Sequence, residues 1–205
     1  FNLFLFRITL EFIKMGLVSL QSFLLSARPR QWTKNLLVFA APLFAFDFNF
    51  FTLVFSLNAF LSFSLASSGI YFLNDVVDIE KDRLHPTKKN RPIAIGSISK
   101  KKALICSLSL IIGSLVYGFI SQNLLGLIVL LYCIVQILYC ISLKNIPLID
   151  IFCISSGFLL RAIAGGLNNQ VELSPWFILS VGLLALFLAP LLTVAQEEED
   201  YSMYD

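Results

Sequence analysis

Charge is what this sequence has least of. Only 14% of its 205 residues are Asp, Glu, Lys or Arg, against roughly a quarter in an ordinary soluble domain, and that scarcity excludes a water-soluble globule. Histidine is all but absent, with His85 the single example, so chemistry that depends on an imidazole base has one candidate. The four cysteines, Cys106, Cys133, Cys140 and Cys153, include no CxxC pair and have no neighbouring histidine. They read as small packing residues and carry no information about redox compartment. No stretch between the apolar runs is long enough to hold a soluble domain.

What the sequence has in abundance is hydrocarbon. Hydrophobic residues make up 58% of the chain and Phe alone supplies 20; mean hydropathy is +0.83. The expected solvent is a bilayer, and the expected fold is all-α, a polytopic transmembrane helical bundle. About six apolar stretches qualify: Leu36 to Phe46, Phe50 to Leu73, Ala103 to Ile120, Leu124 to Leu143, Pro147 to Gly166 and Pro175 to Ala195. The first is short, which suggests a tilted or partly re-entrant segment.

Apart from Arg161, Lys and Arg from Arg28 onward fall in alternate loops. Arg28, Arg30 and Lys34 precede the first stretch, eight basic residues fill the segment between the second and third, and Lys144 follows the fourth. The intervening loops, around Asp47, Ser121 to Asn123 and Asn168 to Ser174, hold none. By the positive-inside rule the basic loops are cytoplasmic, which puts every polar cluster of interest on one side of an inner membrane. No nucleic-acid partner is expected.

The segment that carries chemistry runs from Tyr71 to Pro92. Asn74, Asp78 and Asp82 are spaced i, i+4, i+8 and share one face if the segment is helical, with Tyr71 nearby and Asp75 somewhat off that face. Magnesium takes hard oxygen ligands, keeps several waters and is commonly held by one or two carboxylates plus substrate phosphates. Lys88, Lys89 and Arg91 lie just downstream, suited to phosphate oxygens. A solvated, charge-paired loop would account for the mixed charges but not for carboxylates packed against the end of an apolar span, where they are costly and usually functional. His85-Pro86 reads as a turn. Arg161, inside the fifth stretch, points to a polar cavity or a partner, the bland alternative being a snorkelling side chain. Gly165 and Gly166 suggest close helix packing or the end of a span.

The string Asn74-Asp-x-x-Asp78-x-x-x-Asp82 resembles the first aspartate-rich motif of the UbiA-type prenyltransferase superfamily. Arg28-Pro-Arg-Gln-Trp32-x-Lys34-Asn35, His85-Pro-x-Lys88-x-x-Arg91-Pro, Tyr139-Cys-x-x-Leu143-Lys144 and Ser155-Ser156-x-x-Leu159-x-Arg161-Ala-Ile-Ala-Gly-Gly166 bring the resemblance nearer to its decaprenyl-phosphate phosphoribosyltransferases. The resemblance implies a helical bundle around a cavity open to the cytoplasmic side and to lipid. It implies Mg2+-dependent transfer of a 5-phosphoribosyl group from phosphoribosyl diphosphate to a polyprenyl phosphate, such as decaprenyl phosphate. Asn74, Asp78 and Asp82 would hold the metal and Asp75 would assist. Lys34, Lys88, Arg91, Lys144 and Arg161 would neutralise phosphates, with Tyr71 and Tyr139 also binding substrate and Asp75, Asp82 and Arg161 forming the catalytic set.

The resemblance further sets expectations for organisation. Residues 1–27 are expected as an N-terminal extension, within which Met15 offers a start that would make Phe1 to Lys14 upstream sequence; residues 28–195 form the transmembrane unit, with about six of nine expected spans; and 196–205 form a solvated acidic tail. Relatives carry a second polar motif after the sixth span, and its absence points to truncation or a frameshift near Ala189. Two other classes compete. One is prenyl transfer from a prenyl diphosphate to an aromatic or tetrapyrrole acceptor; the other is a non-catalytic membrane protein, such as a transporter or an inactive remnant. Small residues on the spans also suit self-association.

Overall fold

The computed structural model describes residues 20–47, 49–168 and 173–204, and its regular secondary structure is all helical, with no strand among the described residues. The expectations for Phe1 to Met15 lie outside that range. A helix over residues 20–27 (α1) leads into a 3-10 helix, Pro29–Phe39, and then α2, Ala40–Phe44. There follow α3 (Phe50–Val77), α4 (Ile79–Leu84), α5 (Lys100–Ser121), α6 (Asn123–Ile141), α7 (Pro147–Asn168) and α8 (Pro175–Tyr204).

Four helices are long and apolar enough to cross a membrane, Phe50–Val77, Lys100–Ser121, Asn123–Ile141 and Leu148–Leu167; Pro175–Leu191 is a shorter apolar helix. The stretch Leu36–Phe46, expected as a span of its own, is divided between the 3-10 helix and α2. Local chemistry explains the break. Arg28 is left-handed at φ 51 and Pro29 follows it; Pro42, inside α2, has no N–H to donate; Phe46 is again left-handed at φ 54. Hydropathy reports none of these. Beyond Ala195, α8 runs on helically to Tyr204.

The long helices are amphipathic in the membrane sense. Leu53, Leu57 and Leu61 on α3, and Ile105, Leu108, Ile112 and Val116 on α5, are exposed and form the lipid-facing surface. The inner face of α3 is small: Ser56, Ala59, Ser62, Ala66 and Gly69 are all buried, which lets neighbouring backbones approach closely. At Gly69 an added Cβ would lie 2.8 Å from Ile111 Cγ1, and Ser107 Oγ donates to the Gly69 carbonyl at 2.7 Å. Tyr117, near the C-terminal end of α5, donates to Asn58, in the first half of α3, at 2.7 Å, so the two helices run antiparallel. Gly118 and Gly126 face each other where α5 turns into α6, with an added Cβ at Gly118 only 3.3 Å from the Gly126 Cα.

The entry segment is fastened by Ser68, whose hydroxyl accepts from Trp32 Nε1 at 3.0 Å and donates to the Ala27 carbonyl at 3.0 Å. Ser68→Ala removes both bonds and leaves the indole N–H without this partner. A loss of about 1–2 kcal/mol is expected, read as a lower thermal unfolding midpoint in detergent.

Candidate functional site

The aspartate segment keeps its helical register across the junction between α3 and α4. Asp78 closes one helix and opens the next at φ −91, ψ 5. The i, i+4 hydrogen bonds continue through it, Asp78 N–H to the Asn74 carbonyl at 2.9 Å and Asp82 N–H to the Asp78 carbonyl at 2.8 Å. Asn74, Asp78 and Asp82 therefore line one wall of a cavity of about 530 Å³. Of the candidate binding residues named from the sequence, Lys34, Tyr71, Lys88, Arg91, Tyr139, Lys144 and Arg161 line the same cavity, whereas Lys89 is exposed and does not.

Asp75 is the exception. It is buried, does not line the cavity, and its Oδ1 is taken by Arg28 at 2.7 Å and Arg91 at 3.3 Å. A carboxylate one position off the face points into protein, and there it serves as counter-ion to two arginines rather than as a magnesium ligand. Arg28 also lies over the Tyr71 ring, 4.9 Å from its centroid. Arg91 reaches on to Asp82 at 3.0 Å. Burial pushes the Asp82 carboxyl above its usual range, while the Arg91 guanidinium beside it pulls the other way. Removing one member of such a buried network costs far more than the network contributes, because the partners are left unpaired.

Lys144, on the turn after α6, brings its ammonium to Asp78 at 2.5 Å and to Asn74 Oδ1 at 3.2 Å. These two oxygens thus already converge on one cation. Among the described residues no three His, Cys, Asp or Glu side chains enclose a metal by themselves. The Asn74 and Asp78 side chains offer hard oxygen donors, the type that magnesium takes together with phosphate oxygens and water. His85 forms a turn: its Nδ1 lies 3.4 Å from the N–H groups of Thr87 and Lys88. It also lines the cavity.

The inner end of the cavity is organised by Arg161. Its Nε donates to Asn35 Oδ1 at 2.6 Å, one terminal nitrogen to the Gly157 carbonyl at 2.6 Å and the other to the Tyr132 hydroxyl at 3.0 Å. The guanidinium also sits against the Tyr132 and Phe63 rings, at 4.8 and 5.4 Å. Asn35 is fully buried and hands on a hydrogen bond to Ser64 Oγ at 3.0 Å. Arg161 is 7% exposed, and no carboxylate among the described residues pairs with it.

Among the lining residues that the sequence reading did not single out as site residues are Arg28, Tyr132, Gln136 and Asp150. The signal was present as helical spacing. Tyr132, Gln136 and Tyr139 stand at i, i+4, i+7 on α6, and Asp150, Ile154, Gly157 and Arg161 at i, i+4, i+7, i+11 on α7, one face each.

Fold and site together define a membrane-embedded helical bundle with a polar, cation-rich cavity at one end. The chain belongs to the UbiA prenyltransferase family, which matches residues 33–204. It is 43% identical over 169 residues to a decaprenyl-phosphate phosphoribosyltransferase of Mycolicibacterium smegmatis, covering 80% of this chain and 53% of that one. It is 42% identical over 167 residues to the protein of the same name from Corynebacterium glutamicum, covering 79% and 50%. The chain thus spans about half the length of these curated relatives. A UbiA homolog from Archaeoglobus fulgidus, solved bound to DMAPP and Mg2+, shares the fold with a TM-score of 0.71 at 23% identity, over 82% of this chain and 61% of that one.

Proposed function

We propose that this chain carries the donor-binding part of a site that transfers a 5-phosphoribosyl group from phosphoribosyl diphosphate to a polyprenyl phosphate, releasing diphosphate. One observation supports it above the others: seven Lys and Arg side chains line the cavity against three Asp, and the innermost cation, Arg161, has no carboxylate partner among the described residues. Such a surplus suits a polyanionic donor together with an anionic acceptor. A neutral aromatic acceptor would leave Arg161 buried and uncompensated, at considerable cost.

Asn74, Asp78 and Asp82 would hold magnesium on the diphosphate; when bound, the metal supplies charge neutralisation for the leaving group. Lys144 and Lys88 bind the outer oxygens, Lys34 and Arg91 add positive charge, and Arg161 with Tyr132 receives the acceptor phosphate. An oxygen of the lipid phosphate attacks the anomeric carbon, the bond from that carbon to diphosphate breaks, and diphosphate leaves with the electron pair. A phosphate anion is already the nucleophile, so no general base is required. The residues position the reactants and stabilise departing charge. By the positive-inside rule, the basic loops support a cytoplasmic face for this chemistry.

Titration calorimetry in detergent with Mg2+ tests the donor: phosphoribosyl diphosphate is expected to bind at least about tenfold tighter than dimethylallyl diphosphate, or about 1.4 kcal/mol. The reverse order would move the site to prenyl transfer. Arg161→Gln is expected to weaken binding of a short polyprenyl phosphate by about tenfold or more, the loss of a charge-assisted hydrogen bond. Donor affinity should stay within about twofold, and an equal loss of both would remove Arg161 from the acceptor side.

A further inference from the structure

Asp150 is the acidic group of the cavity that the proposed chemistry leaves unused. It stands on the first turn of α7, half-buried, and lines the cavity on the same helical face as Ile154, Gly157 and Arg161. Its circumstances differ from those of the other carboxylates. Asp75 is paired with Arg28 and Arg91, Asp82 with Arg91 and Asp78 with Lys144. Asp150 has no ion-pair partner among the described residues, although Lys144 and Asn145 line the same space. Tyr139 lines the same cavity, and its hydroxyl and the Asp150 carboxylate interact electrostatically. The N-terminal turn of a helix favours a carboxylate without any cation, which leaves the Asp150 oxygens open to a ligand.

An ionised carboxylate only accepts hydrogen bonds. It repels diphosphate, so the part of a ligand that it faces must be uncharged and must carry donors. In a cavity otherwise dressed for anions, that describes a sugar bearing free hydroxyls. We infer that Asp150 reads the vicinal hydroxyls of the donor's pentose, with Tyr139 holding the carboxylate in place, and that it is the residue by which this site separates a sugar diphosphate from a hydroxyl-free prenyl diphosphate. This rests on the phosphoribosyl donor proposed above and assigns its recognition. A site built to hydrogen-bond a hydroxyl discriminates strongly against a ligand without one, because its polar group is then left unpaired.

The test is Mg2+-dependent binding of three ligands, phosphoribosyl diphosphate, dimethylallyl diphosphate and inorganic diphosphate, to the unaltered chain and to Asp150→Asn by titration calorimetry. The substitution keeps the size and removes the charge. Affinity for phosphoribosyl diphosphate is expected to fall about tenfold or more, while inorganic diphosphate binds as well or better because a repulsive charge has gone. Opposite movement of the two ligands cannot come from a damaged fold, and retained diphosphate binding reports an intact site. If both ligands shift in the same direction by the same factor, or neither shifts, Asp150 does not read hydroxyls, whereas the donor proposal survives. If the unaltered chain fails to prefer phosphoribosyl diphosphate over dimethylallyl diphosphate, the donor proposal itself fails and the role of Asp150 falls with it.

Discussion

Asp78→Asn is expected to remove magnesium-dependent binding of phosphoribosyl diphosphate, weakening it by at least about a hundredfold, the scale for losing one charged ligand of the few that hold a hard cation. Asp78 sits where α3 hands over to α4, its side chain about one-seventh exposed, and it shares the Lys144 ammonium with Asn74. The amide oxygen introduced by the substitution can still accept from Lys144, so the junction should hold and the thermal midpoint should move little. Calorimetric titration of Mg2+ with the donor present measures the effect, and Mn2+ paramagnetic resonance counts bound metal directly. Unchanged metal-dependent binding would take Asp78 out of the site.

The second large effect concerns the frame of the cavity rather than its lining. Gly165→Ala is expected to destabilise the chain by about 3 kcal/mol or more, the upper range for overpacking a close contact, and to abolish donor and acceptor binding together. A Cβ at position 165 would stand 1.8 Å from the Val38 carbonyl oxygen and 2.7 Å from its carbon. Both atoms are backbone, so no side chain can swing aside. The 3-10 helix and α7 would have to separate, and the Asn35–Arg161 hydrogen bond between them, one turn away on α7, would separate with them. Thermal unfolding in detergent reads the first effect and calorimetry the second; a midpoint within a degree or two of the unaltered chain would show that the contact can relax.

How much of this was legible in the sequence depended on how far apart the interacting residues lie. The face formed by Asn74, Asp78 and Asp82 could be read because α3 and α4 keep one register, and Arg161 could be read because a charge in an apolar run is anomalous on its own terms. The pairing of charges could not. Asp75 turns to Arg28, 47 positions earlier, and Lys144 meets Asn74 across 70 positions; both depend on how helices pack, which periodicity does not encode. Gln136 and Asp150 lay in patterns that were available yet invisible until one knew which faces look inward. The segment Leu36–Phe46 misled for a different reason: apolar content says that a segment is buried, whereas proline and a left-handed Arg28 decide how its backbone is hydrogen-bonded.

The bond from Arg161 to Asn35 joins residues 126 positions apart, and that separation has a meaning in time. During synthesis Asn35 emerges first, and at ribosomal rates of about 5–20 residues per second it waits on the order of ten seconds for its partner to be made. Throughout that interval a carboxamide destined for complete burial has no guanidinium to receive, and the 3-10 segment that bears it has no α7 to rest against. The first part of the cavity's frame to be made is therefore among the last to become fixed, and arrival of α7, which carries the fifth apolar stretch, is the event that closes it.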